Sequence, residues 1–310
     1  MNDLHVFDAH ADTISYLRYA RQDLRHSPGH WDLDRAGEFA GFGQVFALWA
    51  DWVPRDALWA ECQGQHETYL TMLARYPERI RHCRTARDAE DAWRAGKAAA
   101  FLSVEGAEML DCDIAKLDIA ADWGVRALNL TWNFANDLSG SNCERSEQGL
   151  SARGRDFLRA MEERGILPDV SHLSDAGTWD VLRWARGPVI ASHSNARALC
   201  PHRRNLTDDM FRAIRDSGGF VGLNTYLPFV GGGGTLEDLA GHLEHFLSLD
   251  GEKTLGLGGD WDGCDAFPQG ITGIESLPGF RDFLRERGWP EELLKDIFSR
   301  NLLRVMGGTQ

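Results

Sequence analysis

Eight short apolar runs, most of them followed by a segment of helical period, predict an α/β fold in this 310-residue chain, and within that class a (β/α)8 TIM barrel. Three observations carry the prediction: the alternation of strand and helix patterns, the number of repeats, and the polar residues that end the runs. The first run is LHVFDAH (4–10), which leaves the core at His10, with Asp12 two positions further on. QVFALWA (44–50), AAFLSVE (99–105) and RALNLTW (126–132) follow in the first half. ILPDVSH (166–172), PVIASH (188–193), GFVGLN (219–224) and TLGLGGD (254–260) complete the set. Each is short, apolar and bounded by turn-forming residues, as a strand covered on both faces requires. Segments 69–77, 114–123, 154–164 and 208–216 space their apolar residues as a helix that buries one stripe. Leu236, Leu239, Leu243, Phe246 and Leu247 repeat that spacing, so the glycine run Gly231 to Gly234 before them reads as a loop. Repeated strand and helix impose parallel pairing with right-handed crossovers. Eight such units in a chain of this length match a closed barrel better than an open doubly wound sheet, and no G-x-G-x-x-G follows the first strand.

Composition narrows the function classes. With 43% hydrophobic residues the chain can bury a large core, and no stretch resembles a linker, so residues 1–310 are expected to form one barrel. The net charge of −14 is spread along the sequence and argues against nucleic acid or an anionic membrane surface as partner. The N-terminus has no basic segment leading into an apolar run, no 18-residue apolar stretch follows, and the final VMGGTQ is short and polar. A cytoplasmic protein with no membrane partner is the expectation. The six cysteines form no C-x-x-C and are far apart, so free thiols are expected and none is placed as a zinc ligand. Composition leaves the oligomeric state open, a homodimer included.

The chemistry lies in where the runs stop. His10 with Asp12, Glu105, His172, His193 and Asp260 each stand at the C-terminal end of an apolar run. In a barrel those ends meet on one rim, the face on which such enzymes place their active sites. An isolated H-x-D is equally well a hydrogen-bonded histidine and a helix cap. Three histidines and three carboxylates at five strand ends are not explained that way, and they predict a metal-dependent hydrolase site. Nitrogen and oxygen donors without thiolate suit Zn²⁺, and also Mn²⁺, Co²⁺ or Fe²⁺. Six candidates exceed the three protein ligands usual for one catalytic zinc. Two ions about 3.5–4 Å apart, sharing a carboxylate and holding a hydroxide between them, use them more fully. In related barrels the bridge is often a carbamylated lysine. Of the four lysines here, Lys97 and Lys253 lie nearest to strands but precede them, on the wrong rim, which leaves Glu105 as the bridge.

The motifs DAHADT (8–13), VEGAE (104–108), DVSHLSD (169–175), SHSNARALCPHRRN (192–205), GLGGDWDG (256–263) and NLLRVMG (301–307) resemble, in order and spacing, the renal or membrane dipeptidase family of zinc peptidases. The resemblance covers essentially the whole chain and implies a barrel catalytic domain that hydrolyses dipeptides, C-terminal D-residues included, with two zinc ions per chain. It implies that His10 and Asp12 hold one ion, His172 and His193 the other, and that Glu105 bridges them. Asp260 then corresponds to the residue that takes the proton from the attacking water and gives it to the leaving amine. Arg204 corresponds to an arginine that grips the substrate carboxylate, and Tyr226 to a substrate-contacting tyrosine. One departure stands out: where mammalian members have a histidine after the fourth strand, this chain reads NLTWN. Trp132 can donate a hydrogen bond but cannot take a proton, so oxyanion stabilisation is expected to rest on the metals, Trp132 or Asn133. Two other readings compete with a dipeptidase: a barrel amidohydrolase of another small amide such as an N-acyl amino acid, and a barrel that only binds small molecules.

Overall fold

The computed structural model describes residues 3–307. Nine strands alternate with helices: β1 (His5–Ala11), β2 (Gly41–Leu48), β3 (Ile80–His82), β4 (Ala98–Glu105), β5 (Val125–Asn129), β6 (Leu167–Asp169), β7 (Ile190–Ala191), β8 (Phe220–Leu223) and β9 (Leu255–Leu257). All pairings between these strands are parallel. The order β2-β1-β9-β8-β7-β6-β5-β4 closes on itself because β2 also pairs with β4 along Gly43–Leu48 and Ala99–Val104. The result is an eight-stranded barrel, and its members are the eight runs read from the sequence.

β3 is an addition that the apolar pattern does not reveal. It pairs only with the first residues of β4, Ala98 to Ala100, whereas β5 takes the same edge of β4 from Leu102 onward. It therefore lies outside the closed barrel, and of its three residues only Ile80 is buried.

Burial explains the composition of the strands: every residue of β2 and β4 is buried, since the barrel interior and the helical layer cover opposite faces. Side-chain caps start many of the intervening helices. Thr85, Ser151, Ser174, Thr207 and Thr235 each accept a hydrogen bond from the backbone N–H three residues on. The C-terminal helix Asn301–Met306 buries Leu302, Val305 and Met306 in one cluster with Phe7, Phe101 and Phe220.

The strands β5 to β9 are shorter than their apolar runs, and in two of them this matters for the site. β6 stops at Asp169 and β7 at Ala191, so His172 and His193 sit in turns beyond the ladder. His172 has a φ of 72° and Asp260 one of 58°, the left-handed region that costs a non-glycine residue roughly 1–3 kcal/mol unless the surroundings hold it.

Candidate active site

The H-x-D of β1 converges, but not by the pleat of one strand. The register with β2 shifts between Asp8 and Ala11, and Asp12 leaves the ladder to occupy the N-cap position of the helix Thr13–Ala20. Its carboxylate makes no capping bond there. Instead Asp12 Oδ2 lies 3.4 Å from His10 Nε2.

The other candidates gather around the same point. Glu105 Oε1 lies 3.6 Å from His10 Nε2, 3.5 Å from His193 Nε2 and 2.9 Å from His172 Nε2. Asp260 Oδ1 is 3.9 Å from His10 Nε2. Two sets of donor atoms, on His10, Glu105 and His193 and on His10, Asp12 and Asp260, each fit within 4.8 Å. All six residues predicted from strand ends therefore meet in one buried cluster.

Glycines make the convergence sterically feasible. A Cβ on Gly263 would stand 2.1 Å from Asp12 Oδ2 and 2.4 Å from Asp260 Oδ1, so any side chain there would occupy the space of the two carboxylates. A Cβ on Gly258 would lie 1.8 Å from the Ser192 carbonyl oxygen, beside His193.

Electrostatics make the cluster a cation site. Burial opposes a charged His10, yet Glu105, Asp12 and Asp260 around it raise its pKa to about 10. Burial, with Asp12 and Asp260 nearby, pushes the Glu105 carboxyl well above its usual range. His172 and His193 are driven well below theirs, by burial first and then by the positive charges of His10 and Arg204. His10 Nε2 and Asp12 Oδ1 are buried with no hydrogen-bond partner. Three carboxylates, three imidazoles and two orphaned donor atoms fit a divalent cation, which favours neutral imidazole and ionised carboxylate as ligands. The lysines are elsewhere: Lys97 donates to the Pro77 carbonyl and Lys253 pairs with Asp296.

A layer of polar residues fixes the clustered side chains, and sequence reasoning missed most of it. Asp8 accepts the His10 and Gly259 N–H groups and the Gln44 amide. Asp169 accepts from Ser171 N–H and Ser192 N–H, tying the turn after β6 to the end of β7. Asn133 Oδ1 is 2.8 Å from His172 Nδ1, so Asn133 orients that imidazole. Asn224 Nδ2 donates to Asp260 Oδ2 at 3.3 Å. The available signal was an aspartate buried in an apolar run two or three residues before a candidate histidine.

The predicted substrate residues border the cluster. Arg204 is 5% exposed, has no carboxylate partner among the described residues, and leaves Nε unbonded. Its guanidinium makes only 3.4 Å contacts, to Ser194 Oγ and the His193 carbonyl, and stands 5.3 Å from the centre of the Phe229 ring. The Trp132 ring is 6.0 Å from that of His172 and 5.0 Å from that of Trp49. Tyr226 is half-buried, and its phenol is raised by burial and by Asp265 and Asp260.

A parallel barrel with a carboxylate and imidazole cluster on its C-terminal rim defines a metal-dependent hydrolase. The membrane dipeptidase family, peptidase family M19, matches residues 1–310. An uncharacterized protein of the pqqA 5′ region of Klebsiella pneumoniae is 34% identical over 265 residues, 82% of this chain and 96% of that protein. A Rhodobacter sphaeroides metallopeptidase, solved with a phosphinate mimic of the dipeptide L-Ala-D-Ala, superposes over 100% of both chains with a TM-score of 0.91 and 26% identity. The dipeptidase AC, an M19 metallopeptidase, covers 98% of both chains with a TM-score of 0.91 and 27% identity. The chain belongs to the membrane dipeptidase family and is a metal-dependent dipeptidase. Among the described residues no helix is long and apolar enough to cross a membrane.

Proposed function

We propose that residues 1–310 act as one catalytic barrel, a binuclear zinc dipeptidase that cleaves dipeptides, L-Xaa–D-Xaa pairs among them. His10 and Asp12 would hold one ion, His172 and His193 the other, and Glu105 both. The observation that carries this reading is the position of Glu105 Oε1, within 3.6 Å of all three imidazole Nε2 atoms. Zinc suits the donor set best, and Mn²⁺, Co²⁺ or Fe²⁺ fit the same nitrogen and oxygen ligands. When bound, the ions supply a nucleophilic water at neutral pH and polarise the scissile carbonyl.

The chain's own groups do the rest. Asp260 is buried, and desolvation followed by the charge of Asp12 raises its carboxyl above the usual range, although His10 and Arg204 pull the other way. A carboxylate of raised basicity takes the proton of the attacking water and delivers it to the amine nitrogen as the C–N bond breaks. Asn224 holds Oδ2 and leaves Oδ1 on the His10 side for that transfer. Arg204 meets the substrate's terminal carboxylate, its charge otherwise uncompensated in a buried setting. Trp132 and Tyr226 flank the bound dipeptide. The phosphinate dipeptide mimic held by the Rhodobacter sphaeroides protein supports a C-terminal D-residue among the substrates. Six unpaired cysteines suit the reducing cytoplasm that this reading assigns to the enzyme.

The test is a screen of metal-replete protein against dipeptides of both stereochemistries at the second residue, with N-acylated controls. Hydrolysis of free dipeptides with little turnover of N-acyl amino acids is expected. The reverse pattern would replace the dipeptide by an N-acyl amino acid as substrate.

A further inference from the structure

The opposite end of the barrel holds a cavity of about 530 Å³. It opens where the first residues of β5 and β6, the turn before β7, the end of the helix Ala152–Glu163 and the C-terminal helix meet. Barrel enzymes carry out their chemistry at the other face, so this cavity is not part of the metal centre. Its volume falls in the range of small-molecule sites.

Its charge is unusual for this protein. The chain carries a net charge of −14, yet Arg126, Arg159, Arg186 and Arg304 all line this cavity, against Glu162 and Glu163. The Arg126 side chain makes no hydrogen bond or ion pair among the described residues, and its Nε is buried without a partner. Its guanidinium stands beside Gly165, where a Cβ would be 3.3 Å from Nη1. Burial, with Arg84 as its charged neighbour, disfavours the cation, and no carboxylate offsets this. Arg304 donates only to the carbonyls of Gly218, Gly219 and Lys253. Glu162 spends one oxygen on the backbone N–H groups of Arg186 and Gly187, at 2.6 and 3.0 Å. Other part-buried arginines are paired with carboxylates, as in Arg35 with Asp32 and Arg79 with Asp34. A guanidinium fork without a carboxylate matches a phosphate or carboxylate ligand in shape and charge. Leu167 and Val305 add apolar wall.

We propose that this cavity binds a small organic dianion, a phosphate monoester or a dicarboxylate on an apolar body, between Arg126, Arg186 and Arg304. The test is calorimetric titration of the metal-loaded enzyme with phenyl phosphate and, separately, with phenylsuccinate, each repeated with a saturating dipeptide product present. Saturable binding of one of them that survives the competitor is expected, and the tighter arm identifies the head group. Arg126→Met and Arg186→Met should each weaken it by about tenfold, the worth of one charged hydrogen bond, and leave dipeptide hydrolysis unchanged. Arg186 is exposed, so its variant keeps the test decisive if Arg126→Met lowers the melting temperature. No binding of either compound at millimolar concentration, binding abolished by the competitor, or binding unchanged in both variants would overturn the proposal.

Discussion

His172 Nε2 and His193 Nε2 stand 3.0 Å apart, while Nδ1 of each is turned to a polar partner, Asn133 Oδ1 at 2.8 Å and Ser192 Oγ at 2.7 Å. When both rings donate Nδ1–H, the tautomer that a cation bound at Nε2 requires, and burial keeps both imidazoles neutral, two lone pairs face each other beside Glu105 Oε1. That arrangement is repulsive alone and favourable around a cation. Purified protein should accordingly carry close to two transition-metal ions per chain, lose activity to a chelator and regain it with Zn²⁺. Glu105→Gln removes the charge that two ions would share in the proposed site, so elemental analysis should find both sites depleted. Full metal content and full activity in that variant would refute a bridging Glu105.

Asp260 offers a cleaner separation of chemistry from structure. Its left-handed backbone tolerates asparagine better than most residues, so Asp260→Asn should fold and melt as wild type does. Without the carboxylate, kcat should fall by on the order of 10²–10⁴-fold, the usual worth of a positioned general acid and base. A near-normal kcat would move the proton transfer to another group.

The space beside these carboxylates can be tested from Gly263. Gly263→Ala places a methyl group against Asp12 and Asp260 and should lower metal occupancy and activity together. Wild-type metal content in the alanine variant would show that the loop yields without disturbing the ligands.

How far the sequence reaches can be judged from these same residues. The barrel strands are legible because both of their faces are covered, which demands continuous apolar runs; β3 escapes because it lies outside the closed sheet and Arg81 is free to be exposed. The clustered site residues are legible because barrel topology brings strand ends together whatever the turns do. The turns themselves are not: the left-handed His172 and Asp260 and the departure of Asp12 from the β1 ladder depend on tertiary contacts. Asp8 and Asp169 look like ordinary acids within or at the end of a strand, and their roles depend on N–H groups supplied by distant segments, Gly259 and Ser192.

His82 makes a prediction about stability. Its Nδ1 meets the Tyr69 hydroxyl at 2.7 Å and its Nε2 is buried without a partner. Burial, reinforced by Arg84 and His66, depresses its pKa to about 4 from 6.5. Between those values the unfolded chain binds a proton that the folded chain refuses, so stability is full above pH 6.5 and falls as the pH drops toward 4. His82→Gln keeps a partner for Tyr69 and does not titrate. Urea unfolding at pH 7 and pH 5 should show an acid-side loss smaller in the variant by on the order of 1–2 kcal/mol. Equal losses would mean that His82 is protonated in the native state.

Arg204 bears on why the substrate should be two residues long. A dipeptide places its carboxylate one residue beyond the scissile bond, so a fixed cation beside the ligand cluster measures that distance. Arg204 is buried, lacks a carboxylate partner and contacts the carbonyl of His193, which ties it to the cluster. Arg204→Met preserves much of the packing on Phe229 and removes the charge. It should cost about 2–5 kcal/mol in kcat/KM on a dipeptide, as for one side of a desolvated charge pair. Arg204→Lys should also lose, since an ammonium cannot reproduce the two-pronged contact. On the corresponding dipeptide amide, which has no carboxylate to hold, the methionine variant and wild type should differ far less. Equal losses on acid and amide would mean that Arg204 serves the ligand turn and does not read the substrate.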